Sequence, residues 1–135
     1  MTPSLDRSRF SIALRTPLET GDRRITERTG IAIRLRTNGV VGVGEAAPLA
    51  GWTETFAACQ DRLDQVETAS STTHLFDQVA PRTHPAARHA LHLAHLDAQA
   101  REAGLPLAAV MTATPPTDAV PIAALIGATS QAASV

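Results

Sequence analysis

The sequence predicts an α+β domain in which a three-stranded antiparallel sheet is followed by a helical bundle. Three observations predict it. Residues 9–14 and 25–37 alternate apolar and polar side chains, the period of a strand with one buried face. Asn38-Gly39 then separates the second run from a third, Val40 to Glu45, as a two-residue hairpin turn does. From Phe56 onward the apolar spacing lengthens to the three-and-four pattern of helices.

Each element follows from its own residues. In Arg9 to Leu14, Phe10, Ile12 and Leu14 fall on one side and Ser11 and Ala13 on the other, which predicts a half-buried strand. Arg15 to Arg24 holds Pro17, Gly21 and several charges, and reads as a loop. In the next strand Ile31, Ile33 and Leu35 alternate with Ala32, Arg34 and Arg36, so the arginines belong to a solvated face. Asn38-Gly39 suits a type I′ turn, because both central positions need positive φ. Thr53 is the expected cap of the first helix, with Glu54 favourably placed at its N-terminus. Phe56, Cys59, Leu63 and Val66 share one face of that helix; Asp61, Asp64 and Gln65 take the other.

A polar break, Thr68 to Thr73, precedes a short helix expected around His74 to Val79. Pro81 and Pro85 bracket a turn. Pro85 to Ala103 is the strongest helix, stopped by Gly104 with Pro106 beyond. Leu107 to Met111 adds one more turn. Thr112 to Asp118 reads as a linker. Val120 to Ile126 is a continuous apolar run, suited to a strand buried on both faces of a parallel sheet. No parallel partner for it is present in the sequence. The expected organisation is therefore a first domain over 1–112, a linker over 113–119, and the start of a second, truncated domain over 120–135.

Composition narrows the function. Apolar residues are 44% of the 135, enough for a core, but aromatics are only 3%, so Ala, Leu, Ile and Val must fill it. A net charge of −1 gives no electrostatic reason to expect a nucleic acid or an anionic membrane surface as partner. All twelve basic residues are Arg. Without lysine, proton abstraction by an amine and Schiff-base chemistry are closed to this chain alone. The single cysteine, Cys59, excludes an intramolecular disulfide and is expected to be a small buried apolar residue in a reducing cytoplasm. The N-terminus lacks the apolar run of a signal peptide, and no segment reaches transmembrane length.

The most informative stretch is Gly42 to Thr55. Its glycines allow a close backbone approach, and Pro48-Leu-Ala-Gly-Trp52 offers an exposed apolar loop, a shape for closing over a ligand. Gly42 and Gly44 are not a nucleotide loop, since no helix starts directly behind them and Glu45 would repel phosphate. Glu45 is expected to anchor loop amides and not to catalyse. Trp52 could be core or could face a ligand. His84, His89, His92 and His95, with Asp97 nearby, invite a metal hypothesis, but Arg88, Gln99 and Glu102 share their face, which reads as solvated. Asp97 and Arg101, one turn apart, are expected to form a structural pair.

These residues together resemble a known family. Pro17-Leu18, Thr20-Gly21, Ile25, Arg28 and Gly30, then Gly42-Val-Gly-Glu-Ala-Ala-Pro-Leu49 and Gly51-Trp-Thr-Glu-Thr55, are similar to the N-terminal capping domain of the enolase superfamily. Pro85-Ala-Ala-Arg88, Ala90-Leu91, Leu96-Asp97 and Gly104-Leu-Pro-Leu107 resemble its long helix and the turn after it, and Val120 to Ile126 resembles the first strand of its (β/α) barrel. Within the superfamily the pattern most resembles the o-succinylbenzoate synthases of menaquinone biosynthesis. Dipeptide or N-acylamino acid epimerases and muconate-type cycloisomerases have similar caps.

The resemblance implies a lyase that uses Mg²⁺, held by carboxylates at barrel strand ends, to stabilise the enediolate formed when a lysine takes a proton α to a carboxylate. Dehydration of the cyclohexadiene carboxylate substrate then gives o-succinylbenzoate. Those metal ligands and lysines have no counterpart in these residues, so no catalytic or metal-binding residue is assigned, and the chain alone is expected to be inactive. The cap's role does carry over: two loops fold over the barrel mouth, exclude water and shape specificity. The matching substrate-binding positions are Thr20, Arg23 and Arg24 in one loop and Leu49, Gly51, Trp52 and Thr53 in the other. Leu49 and Trp52 would touch a ring-like substrate, and Arg23 or Arg24 would attract its carboxylate. Ala50 stands where family members often have Pro. The implied partners are a small-molecule carboxylate and a barrel in cis or in trans, with self-association through apolar surface left uncovered. The alternative from another class is a non-catalytic module that binds a separate barrel chain.

Overall fold

A computed structural model of the chain describes residues 2–21, 23–68, 75, 77–112, 117 and 119–122. Three strands, β1 (Ser4–Thr20), β2 (Arg23–Thr37) and β3 (Val40–Ala46), form one antiparallel sheet in the order β1-β2-β3. Helices α1 (Phe56–Asp64), α2 (Pro85–Ala103) and α3 (Leu107–Met111) follow, and Leu75 and Asp77 are helical between α1 and α2. The Asn38-Gly39 turn has φ of 48° and 82°, as a type I′ hairpin requires.

The core lies between one face of the sheet and the helices. Ile31, Ile33 and Leu35 on β2 are buried against Leu63, Leu75 and Leu91. Full burial of such side chains contributes roughly 1.5–3 kcal/mol each. Arg34 and Arg36 lie on the exposed face as expected. Helix α2 crosses β3 at very short range, and small residues make this possible. Gly42 and Gly44 face Ala90, Ala94 and Ala98, and a Cβ on either glycine would overlap the carbonyl oxygen of Ala94 or Ala90. The close approach that the glycines permit is therefore made by the chain's own helix and not by a ligand.

Two expectations are corrected. The segment 15–24 is not a loop: β1 runs to Thr20 and β2 starts at Arg23, making a long two-stranded ribbon. Its register shifts between Ala13 and Leu18, and Pro17 sits in that irregularity, where no ladder N–H is required. The core face of β1 is the face of Leu5, Arg7 and Arg9, paired across from Leu35, Ile33 and Ile31, so Phe10 and Ile12 point away from the helices and Ile12 is 58% exposed. The arginines tolerate this face because each has a partner. Arg7 donates to the carbonyls of Leu63 (2.7 Å) and Val66 (2.9 Å) at the end of α1, and Arg9 stacks 4.6 Å from the Phe56 ring centroid. The strand expected over 120–126 lies mostly outside the described residues, as does most of the 113–119 linker, and its described part, Val120 to Ile122, is exposed.

The helices otherwise follow the sequence. Cys59, Leu63 and Val66 are buried and Phe56 packs against them, while Asp61, Asp64 and Gln65 are exposed. Gly104 ends α2 in the left-handed conformation, φ 65°. Among the described residues no helix is long and apolar enough to cross a membrane.

Candidate functional site

The loop between β3 and α1 is built by its own short-range bonds. The N–H groups of Trp52 and Thr53 both donate to the Leu49 carbonyl at 2.9 Å, and the Leu49 N–H donates to Thr53 Oγ1 at 2.7 Å. Gly51 takes φ +94°, which a side chain would resist. Thr53 is thus the closure of the loop, not the cap of α1. That role falls to Thr55, whose Oγ1 accepts from the Ala58 N–H at 3.2 Å. The result is a tight turn that holds the Trp52 indole outward, 82% exposed, which excludes a core role among the described residues.

The ribbon tip meets this loop. Arg23 donates to the Ala50 carbonyl, and its guanidinium lies over Gly51. Arg28, further along β2, donates to the Ala47 carbonyl at 2.9 Å. Arg24 pairs instead with Glu19 across the ribbon at 3.5 Å, and neighbours along a strand project to opposite faces. Of the expected positions, Arg23, Leu49, Gly51, Trp52 and Thr53 are therefore brought together. Thr20 lies opposite Arg23 at the tip, and Arg24 is turned to Glu19.

Of the two carboxylates beside the loop, it is Glu54 and not Glu45 that anchors backbone amides, and it does so at the start of α2 and not of α1. Glu45 is exposed and lines an open concavity of about 470 Å³ with Thr53, Pro85, His89 and Leu93. Glu54 is buried and receives the N–H groups of Ala86 (3.1 Å) and Ala87 (2.8 Å). It caps α2 from another element, and the helix dipole favours its charge. A signal for this was present: α2 begins His84-Pro85, with no side-chain cap of its own. Arg23 and Arg28 carried no such local signal, because their acceptors lie 27 and 19 residues away.

Burial, then the neighbouring Glu54 carboxylate, push the Cys59 thiol up to about 12 from its ordinary value of 9.0. The thiol stays neutral in the folded chain at pH 8, so a disulfide reagent should label it only on unfolding, with no reaction in native buffer over an hour. The neutral thiol's contribution is complete below pH 9 and is lost as pH climbs from 9 toward 12, where the unfolded thiol ionises first.

The α2 histidines do not form a metal centre. Burial lowers the pKa of His92 and His95, with Arg88 and the neighbouring imidazoles adding to it at His92. Among the described residues no three His, Cys, Asp or Glu side chains converge on a point that could hold a metal ion. The described residues therefore supply no donor set that fits a resident Mg²⁺. Asp97 makes the expected pair with Arg101 (2.9 Å) and also accepts the Val43 N–H (2.8 Å).

The comparisons with known proteins agree with this architecture. Residues 5–98 match the model of the MenC N-terminal domain. The chain is similar to a dipeptide epimerase from Methylococcus capsulatus, solved with Mg and the dipeptide L-Arg-D-Lys, at 28% identity and TM-score 0.72, covering 82% of this chain and 35% of that one. It is also similar to the o-succinylbenzoate synthase of Thermosynechococcus elongatus BP-1, solved with Mg in the active site, at 28% identity and TM-score 0.54, covering 61% and 26%. An L-Ala-D/L-Glu epimerase from Bacillus subtilis, at 23% identity and TM-score 0.64 over 77% and 32%, shares the fold. The comparison with curated proteins gives no significant match. The chain spans about a third or less of each of these structures. It belongs to the MenC N-terminal domain family and is an N-terminal cap of the enolase superfamily.

Proposed function

We propose that this chain is the substrate cap of an o-succinylbenzoate synthase-like lyase. In the full-length enzyme, a Mg²⁺-dependent barrel dehydrates 2-succinyl-6-hydroxy-2,4-cyclohexadiene-1-carboxylate to o-succinylbenzoate. The observation that carries the reading is the Trp52 indole, held outward on a pinned loop beside the ribbon tip. Such a surface can cover an apolar ring and exclude water from a reacting carboxylate. Leu49, Gly51 and Thr53 shape the turn, Thr20 and Arg23 close it from the ribbon, and Arg24 borders the site. Residues 1–112 form the cap, 113–119 the linker and 120–135 the beginning of the barrel. Val120 and Ile122, exposed in this structure, then lie under barrel residues or drive self-association. A cytoplasmic location accords with this chemistry.

The second reading is an epimerase acting on dipeptides or N-acylamino acids. It is favoured by the fuller match to the M. capsulatus enzyme, 82% of this chain against 61% for the synthase. The full-length protein decides between them. Aromatic product formed from the cyclohexadiene substrate supports the synthase; racemisation of a dipeptide without dehydration overturns it.

Trp52→Ala in the full-length protein should raise KM by about 5–30-fold, the equivalent of about 1–2 kcal/mol of lost apolar contact. The unfolding free energy of the chain alone should change by no more than about 0.5 kcal/mol, because the side chain is exposed there. The chain alone, lacking lysine, should give no product with or without Mg²⁺. Turnover by the purified chain would refute that.

A further inference from the structure

Strand β3 pairs with β2 only from Ile31 to Thr37. Toward the ribbon tip, β2 therefore has no third strand beside it among the described residues. The segment after β3 runs back along that stretch, held by side chains where a ladder would otherwise be. Arg28 reaches the Ala47 carbonyl at 2.9 Å and Arg23 reaches the Ala50 carbonyl, so two guanidinium rungs replace strand pairing. Gly51 fits under the upper rung, and a Cβ there would stand 2.8 Å from Arg23 Nη2. Hydrogen bonds with a charged donor are about twice as strong as neutral ones.

We propose that Arg28 is a positioning residue that, together with Arg23, ties the 47–53 loop to β2, so that ribbon tip and loop move as one lid. The loop can swing away from β2 only if a charged donor leaves its carbonyl. Closure over a ligand is then a single event, and the orientation of Trp52 is set by two residues that need not touch the ligand. The meaning of this coupling rests on the capping reading. The coupling itself is a property of the ligand-free chain.

Trp52 is the only tryptophan, and the amides of Trp52 and Thr53 are both bonded within the loop, so hydrogen exchange and time-resolved indole anisotropy read the loop directly. In the ligand-free chain, Arg28→Ala should speed exchange at these two amides at least tenfold and at the Arg23 amide severalfold, with a larger fast component of the anisotropy decay. Arg28→Lys, which keeps a charged donor, should restore most of the protection. Arg34→Ala, an exposed arginine of the same strand, should change nothing. Unchanged exchange in Arg28→Ala, loosening of the loop without the ribbon tip, or equal loosening in Arg34→Ala overturns the proposal. If Arg28→Ala loses its far-UV signal, the unaltered chain decides: unprotected Trp52 and Thr53 amides there overturn it too. No ligand is present in any of these measurements, so their failure leaves the enzymatic test of the capping reading standing.

Discussion

Gly44→Ala is expected to cost about 3 kcal/mol or more, a large share of the roughly 5–15 kcal/mol that holds a domain of this kind folded. The added Cβ would overlap the Ala90 carbonyl oxygen and crowd the Ala94 nitrogen, so the obstacle is helix backbone and not a side chain that could turn aside. Over-packing of a tight interface costs typically 1–3 kcal/mol, more where backbone must move. Here relief requires α2 to lift off β3, where helix backbone stands directly over the glycine. Urea unfolding followed by far-UV circular dichroism measures the loss. A companion variant sharpens the test. Adding Ala90→Gly should not rescue Gly44→Ala, since the clash is with an oxygen that every residue carries. An unchanged midpoint in Gly44→Ala would show that the helix stands further off than described.

Glu54→Ala should be nearly as damaging, by about 3 kcal/mol, or roughly 10–20 °C in Tm for a domain of this size. It would strip the acceptor from two buried N–H groups at the start of α2, whose own N-cap residue, His84, makes no side-chain cap bond. Glu54→Gln retains one good acceptor and should lose about half as much. Because Glu54 directly follows the Trp52 loop, its loss should also loosen Thr53. Melting curves for the three proteins order the effect; Glu54→Ala within 1 °C of the unaltered chain would sink the assignment.

These two sites mark where the sequence was legible and where it was not. Asn38-Gly39, Pro85 and Gly104 announce their structure because turn and helix-end geometry admits few residue types. Ile31, Ile33 and Leu35 announce a face because burial on a strand has a period of two. The inward face of β1 was hidden, since Arg7 and Arg9 look like solvent residues until the ends of α1 appear beside them. Pro17 concealed a strand because the bulge that accepts it is a property of the pairing, not of the proline. The loop that presents Trp52 was readable from Pro48 and Gly51. Its two arginine supports were not, because nothing local distinguishes an arginine that will find a distant carbonyl from one that will face water.

The bond from the Val43 N–H to Asp97 reaches beyond the pair with Arg101. Among the described residues β3 is an outermost strand of the sheet, and an outermost strand is a template on which another chain can add itself. A carboxylate set against its outward amide occupies the position that an incoming strand would need, and it does so with an acceptor that gives nothing to the next layer. Asp97 is in this sense a terminator of growth. Its worth would be felt least in a melting curve and most in a crowded solution, where a chain without it could begin to fibrillate edge on edge.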